Sequence, residues 1–173
     1  MRVAVTGTPG TGKTTAVSLV ETDLEVVHAN DVIREEGLYT EVDEERGTLV
    51  TDLDALGVRL GEYESRAGTG LLVDSHLAHH LDPSAVIVLR CRPDRLESRL
   101  RERGESAGKA SENAEAEALD LVLSEAVSAV GIENVYEIDT TDREPAAVAD
   151  EVEAVLAGER EPSAGEVAFE GFV

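Results

Sequence analysis

Gly7-Thr8-Pro9-Gly10-Thr11-Gly12-Lys13-Thr14 is the stretch that decides the fold, because it fits the phosphate-loop pattern G-x-x-x-x-G-K-[ST]. The apolar run Val3-Ala4-Val5 before it predicts a buried strand, and the residues from Lys13 onward predict a helix. Glycines let such a turn take positive φ angles and approach an anion closely, at a helix N-terminus that favours negative charge. The stretch therefore predicts a nucleotide site in which Lys13 reaches the β- and γ-phosphates and the Thr14 hydroxyl binds Mg²⁺.

Length and cysteine content limit the classes of protein to which the chain can belong. Its 173 residues suit one domain with a proper core. The sequence shows neither a long apolar run nor a charged-then-apolar leader, so we expect no membrane span and no signal peptide. Cys91 is the single cysteine, which excludes an intrachain disulfide and favours a reducing cytoplasm. Because Cys91 ends an apolar run, we expect it to be a small buried residue.

The charge balance is strongly acidic, with 37 acidic and 15 basic residues and a net charge of −22. Self-repulsion of this size should destabilise the fold at low ionic strength, whereas molar salt shortens the Debye length to about 3 Å. We therefore expect a halophile's cytoplasm, and a dedicated basic partner is a second, compatible explanation. Nonspecific nucleic acid binding requires a basic face, so strong direct contact of that kind is not expected.

Apolar runs alternate with helical patterns along the chain, which is typical of an α/β fold with a parallel sheet. The expected strands are 2–6, 24–28, 71–73, 85–89 and 135–138. The expected helices are one from Lys13, one capped by Asn30 or Asp31, and four at about 51–66, 93–103, 111–130 and 145–156. Residues 39–48 are expected to be irregular, and 158–173 to form an acidic tail. We therefore predict a three-layer α/β/α P-loop NTPase fold with a five-stranded parallel sheet, as a single domain at 1–157.

A second acidic site is expected where Asp74 follows the apolar run Leu71-Leu72-Val73. A carboxylate at the end of a strand beside the phosphate loop can bind Mg²⁺, here through a water molecule. His76 projects on the same side while the chain stays extended, and it could orient or deprotonate a water molecule. His79 and His80 are expected to be solvated loop residues, and a metal site built from the three histidines is not expected.

Three arginines are candidates for binding phosphate, because guanidinium groups pair with phosphate in bidentate fashion at any physiological pH. Arg99 and Arg103 stand four residues apart on one helix face, and Arg34 lies in the helix after the second strand. Lys109 is one of only two lysines and lies beside the expected break at 104–108. It could close over the phosphates or be an ordinary residue at a helix start.

The order of these motifs resembles the archaeal and nuclear adenylate-kinase-like ATPases, of the adenylate kinase isoenzyme six type. The resemblance covers about residues 1–130, and its Asp-x-His, Arg-x-x-x-Arg-Gly and Lys-x-x-x-Asn motifs are narrower than the phosphate loop. The stretches that carry it are residues 7–15, 30–36, 38–39, 43–45, 73–76, 88–90 and 99–104, and Lys109 with Asn113. Ser75, where the family usually has an aromatic residue, and residues 77–81 depart from the pattern.

The resemblance implies a fold of the nucleoside monophosphate kinase type and assigns roles to individual residues. ATP would be bound by Gly10, Gly12, Lys13, Thr14, Thr15, Arg99 and Arg103, and the acceptor by Asp31 and Arg34 in an insertion at about 28–53. A short lid at about 102–112 would carry Lys109, which would act in catalysis together with Lys13, Asp74 and His76. Thr14 and Asp74 would bind Mg²⁺, the cofactor that accompanies ATP.

The resemblance also implies activities and partners. Members act as adenylate kinases and ATPases in maturation of the small ribosomal subunit, and they bind a platform protein of that subunit. Expected ligands are therefore ATP, ADP and AMP, and the expected partners are the platform protein and the pre-ribosomal subunit; a monomer is the default. A nucleotide-switched assembly factor with little kinase turnover remains an alternative, as does a kinase for another small acceptor. An alcohol acceptor would need a general base such as Asp31, whereas AMP needs an arginine such as Arg34.

Overall fold

The structure, a computed structural model, describes residues 1–172 and alternates strands with helices. The strands are β1 Arg2–Thr6, β2 Glu25–His28, β3 Tyr39–Asp43, β4 Thr48–Thr51, β5 Leu71–Asp74, β6 Ala85–Arg90 and β7 Val135–Asp139. The α-helices are α1 Lys13–Val17, α2 Ala29–Glu36, α3 Leu53–Ala67, α4 Pro93–Glu102, α5 Ala107–Ala118, α6 Leu121–Val130 and α7 Pro145–Leu156. Short 3-10 turns lie at Ala78–His80 and Ile132–Asn134.

Within residues 1–172, the central sheet has five parallel strands in the order β2-β5-β1-β6-β7. Its strands are short apolar runs, as expected for a sheet covered by helices on both faces. One core cluster includes Leu56 and Leu60 of α3, and a second includes Val148 and Val152 of α7. The predicted three-layer α/β/α P-loop NTPase fold with a five-stranded parallel sheet is confirmed.

The sheet order determines where the functional side chains meet. Strands β2, β5 and β1 run parallel and in register, so that His28 and Val5 flank Asp74 on neighbouring strands. The phosphate loop follows β1 at the same edge. Because ligands of open α/β sheets bind beyond the carboxyl ends of the strands, this edge is the expected place for a site.

The segment 39–48, expected to be irregular, instead forms the antiparallel hairpin of β3 and β4. Its acidic residues suggested a loop, but Thr40, Val42 and Val50 are β-branched residues that favour extended backbone. Gly47 takes a φ of 61° and supplies the left-handed conformation that the turn requires. The hairpin is a separate two-stranded sheet, and its strands are largely exposed.

The long helix expected over 111–130 is two helices, α5 and α6, because the chain breaks at Asp120. Asp120 takes a positive φ of 54°, which interrupts the helical backbone. The buried guanidinium of Arg90 donates to the Glu117 carboxylate, the Glu117 carbonyl and the Asp120 carboxylate. This tertiary contact outweighs the helix propensity of an alanine- and glutamate-rich sequence.

Three helix starts also differ from expectation. Helix α5 begins at Ala107, with Ser106 as its N-cap, rather than near Ser111. Helix α2 begins at Ala29, and its N-cap is His28 rather than Asn30 or Asp31. Helix α3 begins at Leu53, since Thr51 belongs to β4 and the Asp52 side chain accepts from the Ala55 amide at 3.0 Å. The predicted starts of α4 at Pro93 and of α7 at Pro145 agree with the structure.

Residues after Gly158 pack against β7 before the chain ends. The Ser163 amide donates to the Val135 carbonyl at 3.0 Å, and its hydroxyl accepts from the Glu137 amide at 2.9 Å. The guanidinium carbon of Arg90 lies over the Phe169 ring, 5.4 Å from the ring centroid. Residues 163–169 thus cover the buried charges beneath β7.

Two expectations from composition concern Cys91 and membrane segments. Cys91 is fully buried, and burial raises the pKa of its thiol, so the prediction of a small buried residue is confirmed. Across residues 1–172, every helix is too short or too polar to cross a membrane.

The net charge of −22 predicts a fold that gains stability with salt. The melting temperature should rise by at least about 5 °C between 0.1 M and 2 M KCl, since roughly 1 kcal/mol shifts it by about 2–4 °C in a chain of this size. The cause is screening, because the Debye length falls from about 10 Å at 0.1 M to about 3 Å at 1 M salt. Calorimetry against KCl measures the shift.

A neutral osmolyte distinguishes stabilisation by charge screening from stabilisation by exclusion of the cosolute from the protein surface. Sucrose at matched osmolality is excluded from the protein surface but does not screen charge, so it should raise the melting temperature less than KCl does. Higher stability at low salt than at molar KCl would contradict the electrostatic explanation.

Candidate nucleotide-binding site

The phosphate loop connects β1 to α1 and depends on glycine at two close contacts. Gly10 has a φ of 92°, and a Cβ there would lie 2.8 Å from the Leu100 side chain. Gly7 has a φ of 149°, and a Cβ there would lie 2.5 Å from the Leu89 carbonyl oxygen. Gly12, with a φ of 93°, is the N-cap of α1. The loop therefore presents backbone amides at a helix N-terminus, which is an environment suited to phosphate.

Lys13 lies within this loop, and its side chain turns back onto the backbone. Its Nζ donates to the Gly7 carbonyl at 2.9 Å and to the Thr8 carbonyl at 3.1 Å. Desolvation lowers the pKa of Lys13 to about 8, against the opposing effect of the Asp74 and Glu117 carboxylates. Among residues 1–172 the Nζ contacts are these two carbonyls and not a carboxylate, so the buried ammonium group is well placed to bind an incoming phosphate.

Asp74 connects the phosphate loop with β2. Its Oδ2 accepts from the Thr14 hydroxyl at 2.8 Å, and its Oδ1 lies 2.6 Å from Nδ1 of His28. The Asp74 side chain is buried, whereas that of His28 is partly exposed. Sequence reasoning missed His28, although its place at the end of a strand that neighbours β5 was an available signal. Thr14 and Asp74 are thus brought together as a pair of oxygen ligands.

His76 lies at the mouth of the same pocket and is exposed there. Partial desolvation of the ring lowers its pKa to about 4, and the charges of Lys13 and His79 act in the same direction. The imidazole is therefore neutral at pH 7 and can accept a proton or a hydrogen bond.

The pocket has a volume of about 660 Å³ and brings together residues from the loop, α4 and the end of β7. Of the residues expected to bind ATP, its lining includes Gly10, Gly12, Lys13, Thr14, Thr15, Arg99 and Arg103. It also includes Thr140 and Arg143, which sequence reasoning missed. Arg99 donates to the Thr140 carbonyl at 2.8 Å, so its guanidinium is already oriented along the pocket wall. The position of both residues just after β7 follows the rule that binding loops lie beyond strand ends.

Four expected site residues lie outside the lining of this pocket in the part of the chain that the structure describes, and one of them, Asp74, is connected to it through its bond to Thr14. Asp31 and Arg34 are exposed on α2. Lys109 on α5 pairs with Glu105 at 3.3 Å, and its Nζ is 3.5 Å from the Arg46 carbonyl at the tip of the hairpin. The structure therefore assembles the phosphate loop and Asp74 with His76, Arg99 and Arg103, but not the residues expected to bind the acceptor.

Glu117 is a buried acidic residue that contacts the phosphate loop, and its role there was not predicted. The Thr8 hydroxyl donates to Glu117 Oε2 at 2.6 Å, while Arg90 and the Cys91 amide donate to Glu117 Oε1 at 2.8 Å and 3.0 Å. Because every contact of this carboxylate is charge-assisted or to the backbone, the network fixes one loop conformation.

Comparison with known proteins places these features in a family. Residues 3–120 match the family described as AAA domain. A "Putative adenylate kinase" of Natronomonas pharaonis is 62% identical over 170 residues, which cover 98% of each chain. A protein of the same name from Halobacterium salinarum is 55% identical over 174 residues, covering 100% of both chains. One from Methanosarcina acetivorans is 42% identical over 90% of this chain and 86% of that one.

Solved structures with a similar fold are more distant in sequence. A shikimate kinase from Acinetobacter baumannii in complex with shikimate has a TM-score of 0.62 at 15% identity, covering 92% of this chain and 94% of that one. A shikimate kinase from Bacteroides thetaiotaomicron has a TM-score of 0.60 at 18% identity, with 91% and 98% covered. At these identities the likeness concerns the fold alone.

Proposed function

Because the chain belongs to the adenylate-kinase-like family of P-loop proteins, we propose that it transfers the γ-phosphoryl group of ATP to AMP and forms two molecules of ADP. The observation that carries the proposal is a pocket lined by Lys13, Thr14, Arg99 and Arg103, with Asp74 bonded to Thr14. The pocket volume of about 660 Å³ suits a nucleotide.

The donor half of the reaction rests on the phosphate loop. Its amides bind the phosphates of ATP, and Lys13 exchanges its contacts with the Gly7 and Thr8 carbonyls for phosphate oxygens. Arg99 and Arg103 add positive charge from α4 and its end. Phosphoryl transfer needs little covalent help from the protein, so orientation and neutralisation of charge supply the acceleration.

Mg²⁺ fits the oxygen ligands at this site. The Thr14 hydroxyl and Asp74 Oδ2 are 2.8 Å apart, and hard oxygen ligands of this kind are those that Mg²⁺ prefers. Thr14 would bind the ion directly and Asp74 through water, and the bound ion would neutralise phosphate oxygens. His28 occupies Oδ1 of Asp74 and so leaves Oδ2 directed at Thr14.

The acceptor half requires movement of the segments around the pocket. We propose that Arg34 and Asp31, in the insertion at 28–53, bind AMP, and that the lid at 102–112 closes with Lys109. The contact of Lys109 Nζ with the Arg46 carbonyl, at 3.5 Å, supports an approach of lid and insertion. An oxygen of the AMP phosphate then attacks the γ-phosphorus, the bond to the β–γ bridging oxygen breaks, and closure excludes competing water.

ATP hydrolysis is the second candidate activity, and His76 is the observation that favours it. A neutral imidazole at the pocket mouth could accept a hydrogen bond from water and take up its proton during attack on the γ-phosphorus. The same residue has no evident use in transfer to AMP, since a phosphate oxygen needs no deprotonation at neutral pH.

We further propose that the protein assists maturation of the small ribosomal subunit by binding a basic platform protein. The net charge of −22 supports a basic partner, because complementary charge accelerates encounter. In this role, the hydrolysis of ATP would control the release of that partner. This role rests on the family resemblance and on charge.

Turnover in high salt with ATP and each nucleoside monophosphate tests the kinase proposal. ADP should form much faster with AMP than without an acceptor, and the panel should include an alcohol such as shikimate. ADP formation at the same rate without any acceptor would contradict the kinase and favour the ATPase. His76→Ala should then lower hydrolysis at least about tenfold, as removal of a general base does, while nucleotide affinity is unchanged. An equal fall in the hydrolysis rate and in nucleotide affinity would show that His76 has a structural role and not a catalytic one.

A further inference from the structure

Two histidines and a glutamate form a cluster on the side of the sheet where α6 packs. His79 and His80 lie on the 3-10 turn that follows β5, and Glu125 lies on α6. The Nε2 atoms of His79 and His80 are 3.0 Å and 3.6 Å from Glu125 Oε2. His79 is buried, so the expectation that it is a solvated loop residue is wrong.

The distances suit a metal ion with nitrogen and oxygen ligands. All three ligand atoms lie within 4.8 Å of one another. Bonds of about 2.0–2.1 Å to a tetrahedral Zn²⁺ place its ligand atoms about 3.3 Å apart, which is close to the two measured separations. Small side-chain rotations would therefore complete three bonds.

The other nitrogen of His79 is already bound to a hydroxyl. Its Nδ1 lies 2.8 Å from Thr6 Oγ1, and the same hydroxyl donates to the His76 carbonyl at 3.3 Å. If Nδ1–H donates to Thr6 Oγ1, the Thr6 hydroxyl donates its own proton to the His76 carbonyl. The lone pair of Nε2 then faces the Glu125 carboxylate. In that tautomer a lone pair faces an anion, an arrangement that a bound cation stabilises, whereas in the other tautomer Nε2–H donates to Glu125. Such a hydrogen-bonded second nitrogen is the usual support of a metal-bound histidine.

We propose that His79, His80 and Glu125 bind a divalent transition metal of the Zn²⁺ class, separately from the Mg²⁺ of the nucleotide site. Imidazole nitrogens select such ions over Mg²⁺, which prefers oxygen. The side chains of His80 and Glu125 are 39% and 54% exposed, so an ion and a water ligand can enter from solvent. The ion would join α6 to the turn that follows Asp74 and His76.

Calorimetric titration of Zn²⁺ into EDTA-treated, dialysed protein tests the site. Excess Mg²⁺ is kept present so that ordinary acidic surface sites are occupied. One Zn²⁺ should bind per chain, and His80→Ala or Glu125→Gln should each weaken its binding at least about tenfold. Glu115→Gln on α5 is the matched control, since this exposed residue lies outside the cluster.

Cobalt absorption supplies a second measurement that depends on the ligands. Co²⁺ should give visible bands in the original protein that change in His80→Ala. His80→Ala and Glu125→Gln alter exposed positions, so they are expected to disturb folding less than a substitution of buried His79. Zn²⁺ affinity that is equal in all four proteins, or lost equally in Glu115→Gln, would overturn the proposal.

Discussion

A Lys13→Met variant is expected to lose at least about 100-fold in kcat/KM for ADP formation, comparable with removal of a preorganised donor at other transition states. Lys13 is the cation within the loop itself, and its Nζ has only two carbonyl contacts to release before it binds phosphate. Methionine fills the same volume without the charge. Kinase and ATPase turnover should fall together, because both need the same neutralisation of the γ-phosphate. Steady-state kinetics with ATP and AMP measure the loss.

The pKa of Lys13 gives this prediction a pH dependence. Burial lowers that pKa from 10.5 to about 8 in the free protein, and phosphate requires the protonated form. The affinity for ATP should therefore fall as pH rises through 8, by about tenfold between pH 7 and pH 9 for a single titrating group. Titration calorimetry at several pH values measures the fall, which should be absent in Lys13→Met.

The melting temperature distinguishes loss of the Lys13 charge from loss of the folded structure. A lowered lysine pKa means that the protonated form opposes folding at pH 7, so Lys13→Met should melt no earlier than the original protein. Arg66→Met on α3 is the matched control for removal of a cation, since its side chain is exposed and lies outside the lining of the nucleotide pocket. Equal ATP affinity in Lys13→Met and Arg66→Met would contradict the assignment of Lys13.

Much of the fold was predictable because its signals are local. Residues 2–14 contain an apolar strand, a glycine-rich turn and the start of a helix, and these are determined by neighbours in sequence. The apolar runs of β5 and β6 predicted buried parallel strands for the same reason. Proline at the first position predicted the starts of α4 and α7.

The remaining errors concern contacts between residues distant in sequence. Arg90 ends the helix at Asp120 from another element, so helix propensity alone could not locate the break. Residues 39–48 contain β-branched residues, but their acidity outweighed that signal in the prediction. His28 reaches Asp74 only because β2 lies beside β5, an order that the sequence did not specify.

The candidate site divides in the same way. Its donor half was predicted from motifs and is assembled around one pocket in the structure. The acceptor half was assigned through a family resemblance, and Arg34 and Lys109 lie outside that pocket. Because closure of a kinase depends on bound substrate, the sequence cannot give the distance between these residues and the phosphate loop.

An Asp74→Asn variant should weaken the Mg²⁺-dependent part of nucleotide binding and lower turnover by about 100-fold, as loss of a group that stabilises transition-state charge does. Asparagine keeps the size of the side chain and can still bond Thr14, but it removes the buried negative charge. ADP binding in EDTA should change little, because the loop amides and Lys13 remain. Titration calorimetry of ADP with and without Mg²⁺ measures both quantities.

His28 variants test whether the 2.6 Å contact of Nδ1 with Asp74 Oδ1 positions the carboxylate. His28→Ala should reduce the gain in ADP affinity that Mg²⁺ provides by about 10-fold, in line with other groups that orient a metal ligand. His28→Asn should restore most of that gain, since its amide nitrogen occupies nearly the place of Nδ1. If alanine and asparagine behave alike, His28 does not act through its hydrogen bond. If ADP affinity falls equally in EDTA, the substitution has altered the phosphate loop and not the carboxylate.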